Sequence, residues 1–187
     1  AGYTAAEVGA WPWGTLEQAS HRQPPPADVN LVTNGDFERG TEGWRPSGQL
    51  SWAVAENALR FLRLNNRETP QWASFWQNIG FGAPANAPFE VELLLGNASP
   101  FAKHVSVTLL NAAGRDYGLV TCTFVLGPEM AMQPYRMQAR TTATWADVRL
   151  EIGVNPPDGS PAALADAIAL YYRPDLALDD VVCAGPD

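Results

Sequence analysis

The chain has 187 residues, enough for one well-filled domain with a short appendage. A formal net charge of −8 argues against nucleic acid or an anionic membrane surface as the main partner, and no apolar run reaches a membrane span. With 16 glycines and 16 prolines, many at punctuating positions, it suits a loop-rich β protein better than a helical one.

Residues 1–29 read as an N-terminal leader. Trp11 and Trp13 flank a proline, and Pro24-Pro25-Pro26 makes a stiff spacer that cannot enter a sheet interior. This is the composition of a linker, and two tryptophans left in water favour partial docking on the domain that follows. No signal peptide is visible, so the chain is expected to follow a removed signal or an upstream domain.

Asn30-Leu-Val-Thr-Asn-Gly-Asp-Phe-Glu38 comes next, with Gly40, Gly43 and Trp44 behind it. Asn-Gly supplies the positive-φ residues of a tight turn. In extended chain, Asp36 and Glu38 fall on one side and Phe37 on the other. An aromatic anchor beside two converging carboxylates is a suitable start for a hard-cation site.

From residue 30 onward, short strand-like segments alternate with turn signals: 49–55, 58–64, 72–79, 88–96, 104–111, 119–126, 133–141, 146–152, 165–172 and 176–183. Alternation is cleanest where Phe89, Val91, Leu93 and Leu95 oppose Glu90 and Glu92. Val105, Val107 and Leu109 oppose His104, Ser106 and Thr108, and Val148, Leu150 and Ile152 oppose Asp147, Arg149 and Glu151. Period two with Gly/Pro breaks predicts an all-β sandwich of two antiparallel sheets over residues 30–187. A helix is weakly predicted only at 161–167.

Within 65–77, the run Asn-Asn-Arg67-Glu-Thr-Pro-Gln-Trp72-Ala-Ser-Phe-Trp76-Gln77 combines aromatics with planar polar groups. Such a mixture suits a site where a flat apolar ring face is stacked and hydroxyls are hydrogen-bonded. Alternation puts Trp72, Ser74 and Trp76 on one face and Ala73, Phe75 and Gln77 on the other, so at least one face is core.

Catalytic signals are weak. His21 and His104 lack His or Cys neighbours at metal-ligand spacing, and there is no nucleophile elbow or phosphate-binding glycine loop. Cys122 sits mid-strand without a histidine partner, and carboxylates are abundant in any acidic chain. Cys122 and Cys183 fit a disulfide and two buried thiols equally well.

Leu176-Ala-Leu-Asp179-Asp180-Val-Val-Cys183 places adjacent aspartates in an apolar segment. Read as a strand, it puts Asp179 with Val181 and Cys183, and Asp180 with Leu178 and Val182; a buried carboxylate then needs a cation or several donors. Two readings stand: a strand end with one solvated and one capping aspartate, or Asp179 meeting Glu38 around calcium.

The opening Asn-Leu-x-x-Asn-Gly-Asp-Phe-Glu with its Gly-Trp, and the closing Leu-Asp-Asp-Val, resemble the two ends of carbohydrate-binding modules with the galactose-binding-like jelly-roll fold. The resemblance implies a non-catalytic module that binds polysaccharide or oligosaccharide, exported as part of a larger protein. It also implies a structural calcium held by Glu38 and Asp179, with Asp36 and Asp180 as further candidates. The Arg67–Trp72 stretch resembles the Arg-Thr-x-x-Trp of xylan- and glucan-binding modules. It departs from that pattern in placing Arg67 one residue further away and Ser74 where glycine is usual. Trp72, Trp76, Arg67 and Gln77 are the implied ligand contacts. The alternative is a structural or protein-interaction sandwich of an exported surface protein, with no glycan ligand.

Overall fold

The structure is a computed structural model that describes residues 24–64, 73–113, 118–155 and 162–186. Its strands are β1 (Arg45–Pro46), β2 (Leu50–Ala55), β3 (Ala58–Arg63), β4 (Ser74–Asn78), β5 (Pro88–Asn97), β6 (Lys103–Asn111), β7 (Val120–Leu126), β8 (Gln133–Arg140), β9 (Val148–Asn155), β10 (Ala163–Tyr172) and β11 (Val182–Ala184). One sheet has the order β1-β4-β9-β6-β7, the other β11-β8-β5-β10-β3-β2, and every strand pairing in both is antiparallel. Chain-adjacent strands repeatedly switch sheets, which makes a jelly-roll sandwich.

Alternation places the core. Phe89, Val91, Leu93 and Leu95 of β5 face Val105, Val107 and Leu109 of β6 and Leu150 and Ile152 of β9, all nearly or fully buried. At one end Phe75 is an aromatic hub: its ring lies 5.0 Å from Phe61, 5.2 Å from Trp44, 6.1 Å from Trp52 and 6.4 Å from Phe37. Truncating such a residue to alanine costs roughly 3–5 kcal/mol.

Three local expectations are corrected. Ala163–Ala167 belongs to a strand, because Ala163 and Ala165 lie flat between the sheets and pair with both β3 and β5. Tertiary pairing overrides the helix preference of alanine. The expected last strand begins only at Val182, so Asp179 and Asp180 lie in a bend ahead of β11 and strand alternation does not govern them. Around Asp36–Glu38 the backbone turns rather than extends, with Phe37 at φ 54°, yet Phe37 still points inward and both carboxylates outward.

Cys122 on β7 and Cys183 on β11 form a disulfide with Cα atoms 5.6 Å apart, joining the edges of the two sheets. At the other terminus, packing begins ahead of residue 30. Ala27 bridges Tyr172 in parallel, and the Asp28 N–H donates to the Tyr172 carbonyl at 3.1 Å. Arg173 clamps this segment, donating to Asp28 at 2.7 Å and to Glu90 at 3.1 Å. The hydrogen bond to Asp28 chiefly holds the Arg173 guanidinium above its ordinary pKa; burial opposes it, and Glu90 adds to the rise. The tryptophans of the leader lie outside the described residues.

Candidate functional site

The Asn34–Trp44 motif is a structural knot. The Asn34 amide donates to the carbonyls of Gly40 (2.9 Å) and Glu42 (3.0 Å) and accepts from the Arg39 N–H (3.0 Å). Its backbone carbonyl accepts from the Trp44 indole N–H at 3.0 Å. Asn34 adopts φ 55°, a conformation asparagine tolerates because its side chain bonds locally. Gln77 ties the knot to β4: its amide oxygen accepts from the Thr33 N–H at 2.8 Å, and its nitrogen donates to the Thr33 and Gly43 carbonyls at 3.0 and 3.3 Å. With only 6% of its surface exposed, Gln77 is a strut. The expected ligand contact there is corrected, since its hydrogen-bonding capacity is spent inside.

Glu38, Asp36, Asp179 and Asp180 are all exposed. Asp36 accepts from the Glu38 N–H at 3.4 Å and Asp180 from the Val181 N–H at 2.7 Å, both local backbone caps. Among the described residues, no three His, Cys, Asp or Glu side chains group so as to hold a metal ion. The four therefore do not assemble as one ligand set among the described residues.

A concave feature lies elsewhere, on the outer face of the five-stranded sheet. A cleft of about 780 Å³ runs over β4, β9, β6 and β7, within the size range of ligand clefts. Its lining follows from period two: whatever opposes the buried Val105, Val107, Leu150 and Ile152 must face outward. β6 contributes His104, Ser106, Thr108 and Leu110; β9 contributes Glu151, Gly153 and Asn155; β7 contributes Thr121 and Thr123. The floor is low because the central residues are small. A side chain at Gly153 would approach the Ser106 hydroxyl to 2.8 Å and the Ala73 carbonyl to 3.4 Å, so glycine keeps the middle open.

Hydroxyls dominate the walls. Thr108 and Thr121 share a hydrogen bond of 2.9 Å across β6 and β7, and Ser74 donates to Glu151 at 2.6 Å across β4 and β9. At one end of β9, Arg63 donates to Asn155 at 3.1 Å. At the other end, Trp76 stands half-buried between arginines from both neighbouring strands. The Arg149 guanidinium lies 3.9 Å from its ring centroid and that of Arg45 5.5 Å. Arg149 is further oriented by donating from Nε to Asn78 at 2.8 Å. From Arg149 to Asn155 the strand spans about 20 Å.

Trp76 thus lies beside a cleft rather than in the core; alternation had left open which face of this strand was buried. Arg67 and Trp72 lie outside the described residues. Trp44, Trp145 and Tyr135 are buried. Tyr135 packs on Phe124 at 4.8 Å, and burial raises its phenol pKa. Arg149 and Glu151 were legible as outward residues of an alternating strand; what period two could not show was that they meet Trp76, Ser74 and Thr108 across strands.

Comparison with solved structures places this architecture. The CBM22-1 xylan-binding domain from Paenibacillus barcinonensis Xyn10C superposes with a TM-score of 0.58 at 14% identity, covering 82% of this chain and 99% of that one. The fold is that of carbohydrate-binding modules. TmCBM61, solved with β-1,4-galactotriose, matches at TM-score 0.52 and 15% identity over 78% of this chain and 100% of its own. The CBM22-1–GH10 modules of Clostridium thermocellum Xyn10B, solved with xylohexaose, match at 0.53 and 10% identity, covering 78% of this chain and 29% of that one. No family model and no curated protein matches the chain.

Proposed function

We propose that this module is non-catalytic and holds a polysaccharide along the groove of the five-stranded sheet. The observation that supports this most is the groove itself: an open floor of Ser, Thr and Gly lined by Arg63 and Glu151, with Trp76 and two arginines beside it on the same sheet. Aligned hydroxyls and guanidinium forks match the donor and acceptor pattern of a glycan, and two modules that share the fold were solved with bound oligosaccharide. Among the described lining residues, Glu151 is the single carboxylate, whereas glycoside hydrolysis uses two. The Cys122–Cys183 disulfide fits an exported, extracellular or cell-surface setting, and other domains of a larger protein would supply any catalysis. No helix among the described residues is long and apolar enough to cross a membrane.

Affinity electrophoresis of the chain against xylan, β-glucans, galactan and mannan tests the reading. Retardation by at least one polymer, weakened by Thr108→Ala with Thr121→Ala, is expected. Unretarded migration in every polymer would leave the protein-interaction reading, which the exposed Phe101 and Val125 (61% and 63%) favour.

Calcium is proposed only in its narrowest form, with Glu38 and Asp179 completed by backbone carbonyls. The two sequence signatures support it, as does the freedom of both carboxylates from side-chain partners among the described residues.

A further inference from the structure

We infer that the groove selects an acidic polysaccharide, one carrying carboxylate or sulfate groups, over a neutral one; this rests on the glycan-binding reading above. The whole chain carries 12 basic and 20 acidic side chains, whereas the groove lining holds one of each, Arg63 and Glu151, and two further arginines stand beside it. Arg63 lines one end; Arg45 and Arg149 flank Trp76 beside the groove, where Arg149 pairs with the lining residue Leu110 and Trp76 with Glu151, whose carboxylate accepts a hydrogen bond from Ser74. Ion pairs elsewhere join Arg39 to Glu42, Arg60 to Glu56, and Arg173 to Asp28 and Glu90. None of Arg45, Arg63 and Arg149 has such a partner among the described residues.

Two features make these arginines receptors rather than a solvated rim. Arg149 is held in place from two sides, by the Trp76 ring and by Asn78, while its two terminal nitrogens make no hydrogen bond among the described residues. Arg63 is likewise fixed through one nitrogen by Asn155. A pre-oriented guanidinium fork recognises a carboxylate or sulfate through paired, charge-assisted hydrogen bonds. The same stacking covers the indole: with a guanidinium 3.9 Å from its centroid, Trp76 offers the ligand a cation in place of a bare ring for a neutral pyranose. The separation of the two ends, about 20 Å, suits charges spaced along a chain several sugars long.

The test is calorimetric titration of the full chain with polygalacturonate, glucuronoxylan and chondroitin sulfate, and with the first two after their carboxylates are reduced to primary alcohols. Binding to at least one acidic polymer is expected, falling about tenfold or more on carboxyl reduction, on raising salt to 0.5 M, and in Arg149→Gln or Arg63→Gln. Arg136→Gln, on the opposite sheet, should leave affinity unchanged, and melting curves show which variants keep the fold. Equal affinity for native and carboxyl-reduced polymers would overturn acid selection while leaving glycan binding intact. Binding to no polysaccharide, acidic or neutral, would overturn both. Equally tight binding of single-stranded DNA, or equal loss in Arg136→Gln, would show charge without recognition and overturn it too.

Discussion

Gly35 lies against the backbone of Ile168 with no space for a side chain. A methyl group there would sit 1.9 Å from the Ile168 carbonyl oxygen, while the Ile168 N–H donates to the Gly35 carbonyl at 2.9 Å. This contact falls at the bulge in β10, where the register shifts between Asp166 and Ala169 and Ala167 adopts φ 48°. The bulge receives the Asn34–Trp44 knot, and the knot in turn holds Phe37 and Trp44 against Phe75.

Gly35→Ala must therefore open the knot. A loss of about 3 kcal/mol is expected from the displaced backbone and its hydrogen bond, measured by urea unfolding. Stability within about 0.5 kcal/mol of the parent would show that the loop can shift without consequence.

Reducing the Cys122–Cys183 bridge should lower stability by about 4 kcal/mol, because it closes a 61-residue separation in the unfolded chain. Thermal melts with and without dithiothreitol, alongside Cys122→Ser/Cys183→Ser, measure it. The jelly roll should persist by circular dichroism, since the core around Phe75 and Leu150 does not depend on the bridge.

If Glu38 and Asp179 hold calcium, millimolar calcium should raise Tm by several degrees over EDTA, and Glu38→Gln should abolish the difference. Identical melts in calcium and EDTA would remove the ion from the proposal.

Burial raises the Tyr135 phenol pKa above its ordinary 10.0. The folded state thus holds this proton more tightly than the unfolded chain does. Its stability contribution is complete below pH 10 and declines as pH climbs past 10 toward the folded value. Denaturant titrations from pH 8 to 11 should show that decline, smaller in Tyr135→Phe; an unchanged slope in the variant would assign it to other groups.

Period two was enough to find β2 to β10, their inward faces and the outward set that became the groove, because alternation follows from backbone pleating alone. Asn34 and Gly35 were visible as a turn, but their division of labour was not. Asparagine takes the positive φ, and glycine is required by a neighbour more than 130 residues away. Gln77 misled for a similar reason: an amide beside aromatics looks the same in sequence whether it meets a ligand or Thr33. Asp179 and Asp180 were placed in a strand because Leu178 and Val181 flank them. The strand begins later, where β8 offers a partner for Val182.

The sequence alone determined the class of this protein: an acidic, loop-punctuated chain with alternating apolar strands folds as a sandwich, and its two end motifs mark the jelly roll. Only the tertiary structure decided where a ligand could lie. A groove is made by residues from β4, β9, β6 and β7, and which outward side chains become neighbours depends on strand order and register. Those are set by long-range packing between sheets, not by any local stretch of sequence.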